Sequence, residues 1–413
     1  MYNVSQMKRM KRIVIGLFCL LPFHTLCAQI DREVFTTSAV LENDSKGKLL
    51  LDVDNLNFFQ NNEFKTVTDG YSLPGLWIQP KLTFYPLANL KLEAGMHMLY
   101  YSGAWHYPIG KYINLPEKDK DSGNKNIHMR PFFRAHLASN DRMFHLVLGN
   151  LYGGSAHNLM EALYNPELNL TADPESGLQM LLKSDYCDAD VWLDWQNFIF
   201  RNDNHREQFI LGLSSMLKFN APQKTLHWYM PIQIVAQHIG GEIQAEPYHG
   251  ISSLANVGIG IGVKWNTPFS ILKNVQAESD FVGYKQLAGT LLPIDNGYGW
   301  HNAISARFAD FYVKLGHMNS RKFVSIMGSP FFGSLSDFTE PTIFSHSQML
   351  YGKVEYNKRL KQVGSLGISL TLYQYFPGEG TGSDGSKTEV RPSASIQAGI
   401  YLRITPSLFL HKF

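Results

Sequence analysis

The chain has 413 residues, with 37 Lys+Arg against 35 Asp+Glu and 13% aromatic residues. That near-even balance gives no global basic bias and argues against a nucleic-acid partner. Two of the three cysteines, Cys19 and Cys27, fall among the first 28 residues, so Cys187 stands alone beyond them and can form neither an internal disulfide nor a cysteine metal site.

The N-terminus carries Lys8, Arg9, Lys11 and Arg12, then an apolar run from Ile13 to Leu21, then Leu26-Cys27-Ala28 before Gln29. This is the charged, apolar, small-residue order of a secretory signal peptide over residues 1–28, cleaved after Ala28. The apolar core is too short to span a bilayer as a helix. Lipidation at Cys27 is the alternative, but Leu26 occupies the position where a lipoprotein signal has a small residue. Without the leader, 33 basic residues face 35 acidic ones. Residues 29–46 read as a periplasmic lead-in.

From residue 47 onward, apolar and polar residues alternate in short segments. The clearest runs are Ala394 to Arg403, Leu90 to Met98, Leu366 to Tyr373, and Val257 to Val263, where glycine fills one phase. Segments of about 9–11 residues suit strands that cross a membrane with one face to lipid. The predicted strands are 47–59, 73–85, 90–103, 127–138, 142–152, 176–184, 189–200, 206–220, 225–241, 254–266, 272–288, 300–308, 311–326, 347–358, 363–377 and 391–404. Short connections such as 139–141, 185–188 and 221–224 alternate with long ones such as 104–126, 153–175, 327–346 and 378–390. The short turns belong to the periplasmic side and the long loops to the outside, which puts both termini in the periplasm.

A leader, no membrane helix, period-two patterning and a terminal Phe413 together resemble the bacterial outer-membrane β-barrel proteins, and porins in particular. The resemblance implies an all-β fold, a transmembrane antiparallel barrel of about sixteen (14–18) strands over residues 47–413, in the outer membrane of a Gram-negative bacterium. It also implies contact with outer-membrane lipid and lipopolysaccharide, and with the barrel-insertion machinery through the strand ending at Phe413. Pro406 interrupts that strand and leaves Phe413 out of phase with Ile400, Leu402 and Ile404; a bulge near Pro406 would restore the phase.

The alternation assigns Lys81, Lys91, His97, His128, Arg130, Arg134, His136 and His145 to the lumen, with Glu93 as the one acid among them. A Lys or Arg facing lipid at midplane would cost roughly 2–4 kcal/mol. The third outer loop, 153–175, carries Glu161, Glu167, Asp173 and Glu175 and no Lys or Arg. In general porins an acidic third loop folds into the barrel and faces basic wall residues, so the resemblance implies a constricted diffusion channel for small hydrophilic, preferentially anionic, solutes. The acidic-Phe-Gly-Gly motif of those porins is absent from 153–175. The first alternative is a plugged barrel serving as a structural or partner-binding platform.

Three further motifs carry chemistry-bearing residues. His157 and Glu161 share a face if 157–163 is helical, but no third metal ligand is evident, so apolar packing of that helix is favoured. Outer-membrane phospholipases set Ser, His and Asn on the outer wall, and Gly316-His317-Met318-Asn319-Ser320 invites that test. His317 and Ser320 are three apart, however, and so face opposite sides of a strand. A lipid hydrolase therefore stands as the second alternative, and no catalytic residue, cofactor or metal is assigned. The stretch Asn55 to Asn62 and the aromatics Trp105, Tyr107, Tyr112, Tyr248 and Tyr298 suit either sugar contact or a membrane-interface girdle, with the girdle favoured.

Overall fold

A computed structural model describes residues 30, 34–37, 39, 41, 45–102, 127–198, 206–241, 250–336, 342–360, 363–382 and 384–413. The leader with Cys27, and Trp105, Tyr107, Tyr112 and Tyr248, lie outside the described residues.

Each of the sixteen alternating segments overlaps a strand. In chain order these are β1 (Lys48–Glu63), β2 (Tyr71–Leu87), β3 (Leu90–Tyr101), β4 (Ile127–Ala138), β5 (Phe144–Asn150), β6 (Ser176–Lys183), β7 (Cys187–Asn197), β8 (Gln208–Lys218), β9 (Leu226–Ile239), β10 (Ser252–Asn266), β11 (Leu272–Ala288), β12 (Asn296–Phe308) and β13 (Phe311–Arg321). After a connection containing β14 (Leu335–Ser336) and β15 (Thr342–Phe344) come β16 (Ser347–Leu360) and β17 (Gly364–Pro377). Then follow β18 (Glu379–Gly382), β19 (Lys387–Glu389), β20 (Ser393–Ile404) and β21 (Ser407–Lys412). Chain neighbours pair antiparallel around the sheet, and β20 closes onto β1. The result is a closed antiparallel barrel of sixteen staves.

The last stave is broken in two. β20 pairs with Asn55–Glu63 and β21 with Lys48–Asp52 of the same strand β1. Pro406 sits at the break, where its carbonyl accepts from Val53 N–H at 3.0 Å. Proline has no N–H to give the ladder, so the sheet tolerates it only at such an interruption. A second irregularity lies between Leu49 and Leu50. Phe413 ends 76% exposed and edge-on to Phe84, an outward residue of β2, at 5.7 Å between ring centroids. The two irregularities thus bring the terminal ring to the apolar outer wall.

Outward positions are apolar on most staves: Leu211, Ile259, Ile304, Leu315, Leu370 and Ile400 are all about half exposed. Inward positions carry the charge. The lumen is also packed with chain. The loop after β5 turns inward and buries Ala162, Leu163, Leu168 and Leu170. The loop after β13, where the predicted strand 311–326 stops at Arg321, turns inward as well and buries Phe323, Val324, Phe331 and Phe332. The two loops meet where Asn165 N–H donates to Met327 O at 2.9 Å. Lead-in residues Ile30 and Val34 join the same apolar cluster. Glycines on the wall make room for these insertions: a Cβ at Gly258 would come within 2.8 Å of Met160 Cε, and one at Gly367 within 3.1 Å of Ile30 and Val34. At the long-loop end, β14, β15, β18 and β19 form a separate four-stranded sheet, so the glycine-rich link 378–390 contains a hairpin.

Candidate functional site: lumen, rim and lipid-facing wall

The basic wall residues converge on one acid. Lys81, Lys91 and Arg134 reach Glu93 at 3.0, 3.2 and 3.2 Å. Arg134 also donates to the carbonyls of Asn150 and Leu151 at 2.6 and 2.7 Å, and its guanidinium lies 3.9 Å from the Tyr152 ring centroid. His136 bonds Tyr152 Oη at 3.0 Å and His145 at 2.9 Å. Lys81, Lys91, Arg134 and His136 are buried, covered by the start of the inward loop. His97 is buried against Gln79 at 3.0 Å. Arg130, near the outer end of β4, keeps an exposed side chain.

The loop acids have four different partnerships. Asp173 meets His128 at 2.8 Å and Arg130 at 3.1 Å, which is the acid-to-basic-wall contact expected from the charge pattern. Glu161 pairs with Lys353 and, at 3.4 Å, with Lys314 on β16 and β13. The first basic cluster is therefore not its partner. Burial opposes the Glu161 charge, but the two ammonium groups hold its carboxyl well below the usual range. Glu175 and Asp190 grip His157 from both ring nitrogens at 2.6 and 2.8 Å, and the ring stacks 3.6 Å from Trp192. Burial works against the imidazolium, yet the two carboxylates raise His157 to about 10.

Among the described residues, Glu167 has no cation partner. It accepts from Tyr71 Oη at 2.7 Å, Asn62 Nδ2 at 2.8 Å and Gln397 Nε2 at 3.4 Å, and from Gln60. Burial pushes it up to about 7 against these hydrogen bonds. The asparagine-rich stretch is thus split: Gln60 and Asn62 anchor the loop from inside, while Asn55 and Asn57 bond each other on the other phase. The helix expected over 157–163 is not continuous. A 3₁₀ turn, Gly154–His157, ends at left-handed Asn158, and the loop's helical turn comes at Leu168–Thr171.

On the wall's outer face, His317 and Ser320 part as the strand phase requires. Ser320 turns inward, is 1% exposed, and bonds Ser347 at 2.6 Å and Ser334 at 3.0 Å. A different Ser–His pair is formed. His238 near the end of β9 lies directly opposite Ser253 near the start of β10, with Nδ1 to Oγ at 2.9 Å. Both belong to the phase of Ile234, Val257 and Ile259, which faces outward. Both sit at the end of the barrel that carries the long loops. The Phe209 ring stacks on His238 at 4.9 Å. Arg206 donates to the carbonyls of Ile239, at 3.3 Å, and Gly250, and its Nε has no partner. Residue order concealed this pair, because the two residues come together only across the 240–251 connection. The available signal was that His238 falls on the outward phase of predicted strand 225–241, while Ser253 lies one residue before predicted strand 254–266, in phase with Val257 and Ile259.

Inside the barrel, a cavity of about 680 Å³ runs from rim residues His128, Arg130 and Phe198 past Trp77 and His97 to Phe35 and Thr37 of the lead-in. The lead-in is held there by Arg403, which binds Asp54 at 2.6 Å and donates to the carbonyls of Val34 and Thr36 at 2.7 Å each.

Among solved structures, the outer membrane protein OprD from Pseudomonas aeruginosa aligns with a TM-score of 0.46 and 7% identity, over 90% of this chain and 97% of that one. OccAB2 of Acinetobacter baumannii aligns with a TM-score of 0.46 and 10% identity, over 89% and 100%. A loop-deletion form of the outer membrane protein OmpT of Vibrio cholerae gives 0.43 and 10%, over 87% and 100%. No curated protein matches the chain. The profile of one family, described as lipid A 3'-O-deacylase-type, matches residues 41–413. With nearly the whole barrel inside that match, the chain belongs to the lipid A 3'-O-deacylase-type family.

Proposed function

We propose that this protein is an outer-membrane acyl-ester hydrolase that acts on lipid of the outer leaflet, lipid A being the substrate its family name suggests. The observation that carries this is the 2.9 Å Ser253–His238 contact on the outward face at the rim. Ester bonds of a leaflet lie between headgroup and chains, which is the level of such a rim. In this reading Ser253 Oγ adds to the ester carbonyl and His238 Nδ1 takes the hydroxyl proton. His238 then returns the proton to the leaving alkoxide, and water removes the acyl group from Ser253. The packed lumen supports a role for the wall over a role for the pore. A serine-directed fluorophosphonate probe is expected to label Ser253 in the detergent-solubilised protein, and not in a His238→Ala variant. Labelling elsewhere, or none, contradicts the assignment.

The second reading is a channel for small hydrophilic solutes, closed at the short-turn end by the lead-in. The cavity that reaches Phe35 and Thr37 favours it. Any anion preference would rest on Arg130, because Lys81, Lys91 and Arg134 share Glu93. In both readings the outward Phe413 is the proposed contact for the insertion machinery.

A further inference from the structure

We infer that the lumen cavity is a binding site for a neutral saccharide of one or two sugar units. The site is separate from the Ser253–His238 pair and does not rest on the hydrolase reading. Its volume of about 680 Å³ is that of a ligand pocket, which spans about 300–1,000 Å³.

Three features of the lining select the ligand. First, aromatic rings supply flat apolar faces: Trp77 and Phe132 deep in the cavity, and Phe198 at the rim. Such faces take the C–H side of a sugar ring. Second, the polar wall is rich in amides, with Gln237 and Asn197 among them, and one ring nitrogen, His97 Nε2, lacks a partner among the described residues. His97 is 2% exposed, so a nitrogen left unbonded there is costly. A hydroxyl can donate or accept and so suits either tautomer of that ring. Third, the cations in the lining are matched by acids, and one acid, Asp194, is held by the Ser176 N–H at 2.9 Å. Asp173 takes Arg130 and His128, Glu175 takes His157, and Arg134 is spent on Glu93 and two carbonyls. An anion entering the cavity finds no unmatched cation among the described lining residues, whereas a ligand with many hydroxyls and no net charge meets both the amides and the ring faces.

The test is calorimetric titration of maltose and of N,N'-diacetylchitobiose into the full chain, held in a detergent without a sugar headgroup. Saturable binding of at least one disaccharide is expected. Gln237→Leu and Phe198→Ala should each weaken it about tenfold, equivalent to about 1.4 kcal/mol. Phe198 is 57% exposed, so its variant tests the site even if Gln237→Leu fails to fold. Fluorophosphonate labelling of Ser253 should be unchanged at a saturating disaccharide concentration, which separates this site from the catalytic one. The inference is overturned if neither disaccharide binds saturably to folded protein. It is also overturned if binding is the same in both folded variants, or if glucuronate and phosphate bind more tightly than the neutral sugars.

Discussion

At the scale of single residues, the outer wall is informative because lipid tolerates so little polarity there. Ser253 and His238 share one hydrogen bond at the rim, where water and headgroups meet the apolar band. If they act as nucleophile and base, Ser253→Ala should lower ester turnover by at least about 100-fold, the lower range for such groups. The thermal transition should stay unchanged, since neither side chain is in the packed lumen. A Ser320→Ala variant should keep its turnover, because Ser320 is sealed inside with Ser334 and Ser347. Glu167 gives a residue-scale pH prediction. Its folded value of about 7 lies above its ordinary 4.5, so the fold binds the proton more tightly than the unfolded chain does. Stability from this group is therefore fully present below pH 4.5, declines as pH rises toward 7, and is flat above. Glu167→Gln should remove that slope in thermal unfolding measured from pH 5 to 9; an unchanged slope assigns it to another group.

At the scale of elements, the inward loop after β5 is held by long-range ionic contacts. Glu161 reaches residues 153 and 192 positions away, and both lysine partners are side chains that are only about a tenth exposed. Glu161→Gln removes the acid shared by two buried ammonium groups, leaving Lys353 with Glu355 at 3.9 Å. The cost should be roughly 3–5 kcal/mol, read as a fall in the thermal midpoint or in resistance of the loop to protease. The same contacts show what was legible beforehand. The staves were, because a period-two pattern is local and a charge turned to lipid is expensive; β4 and β11 have the predicted bounds. The inward course of the third loop and its contact with the basic wall were expected from the resemblance to porins, with the charge signs of loop and wall agreeing. Which acid meets which base was not: only Asp173 found the predicted wall, while Glu161 crossed to β13 and β16. No local pattern records such pairings. Nor does one record the turn inward after Arg321, where Phe323 and Val324 continue the alternation in sequence yet leave the wall. The Ser253–His238 pair was missed because it depends on cross-strand register, fixed by how the chain returns after residue 241.

At the scale of the whole molecule, the barrel is filled from both ends. Two inward loops and the lead-in share one apolar cluster, with charge pairs at its edges. Arg403 ties the lead-in to the wall through Asp54 and the carbonyls of Val34 and Thr36, beside further ties from Glu355 to Ile30 N–H and from Arg142 to the Leu41 carbonyl. If closure is imposed only by that segment, wild-type protein should be silent in planar bilayers and Arg403→Ala should conduct. A silent Arg403→Ala protein of proven fold removes the channel reading and leaves the wall as the working surface. The central claim is that this wall cleaves an acyl ester. The most direct measurement is fatty acid release from lipid A in mixed micelles, followed by mass spectrometry, for wild type beside Ser253→Ala. The account predicts time-dependent release by wild type and a loss of at least about 100-fold in the variant. Equal release from both, or none from folded wild-type protein, would contradict it.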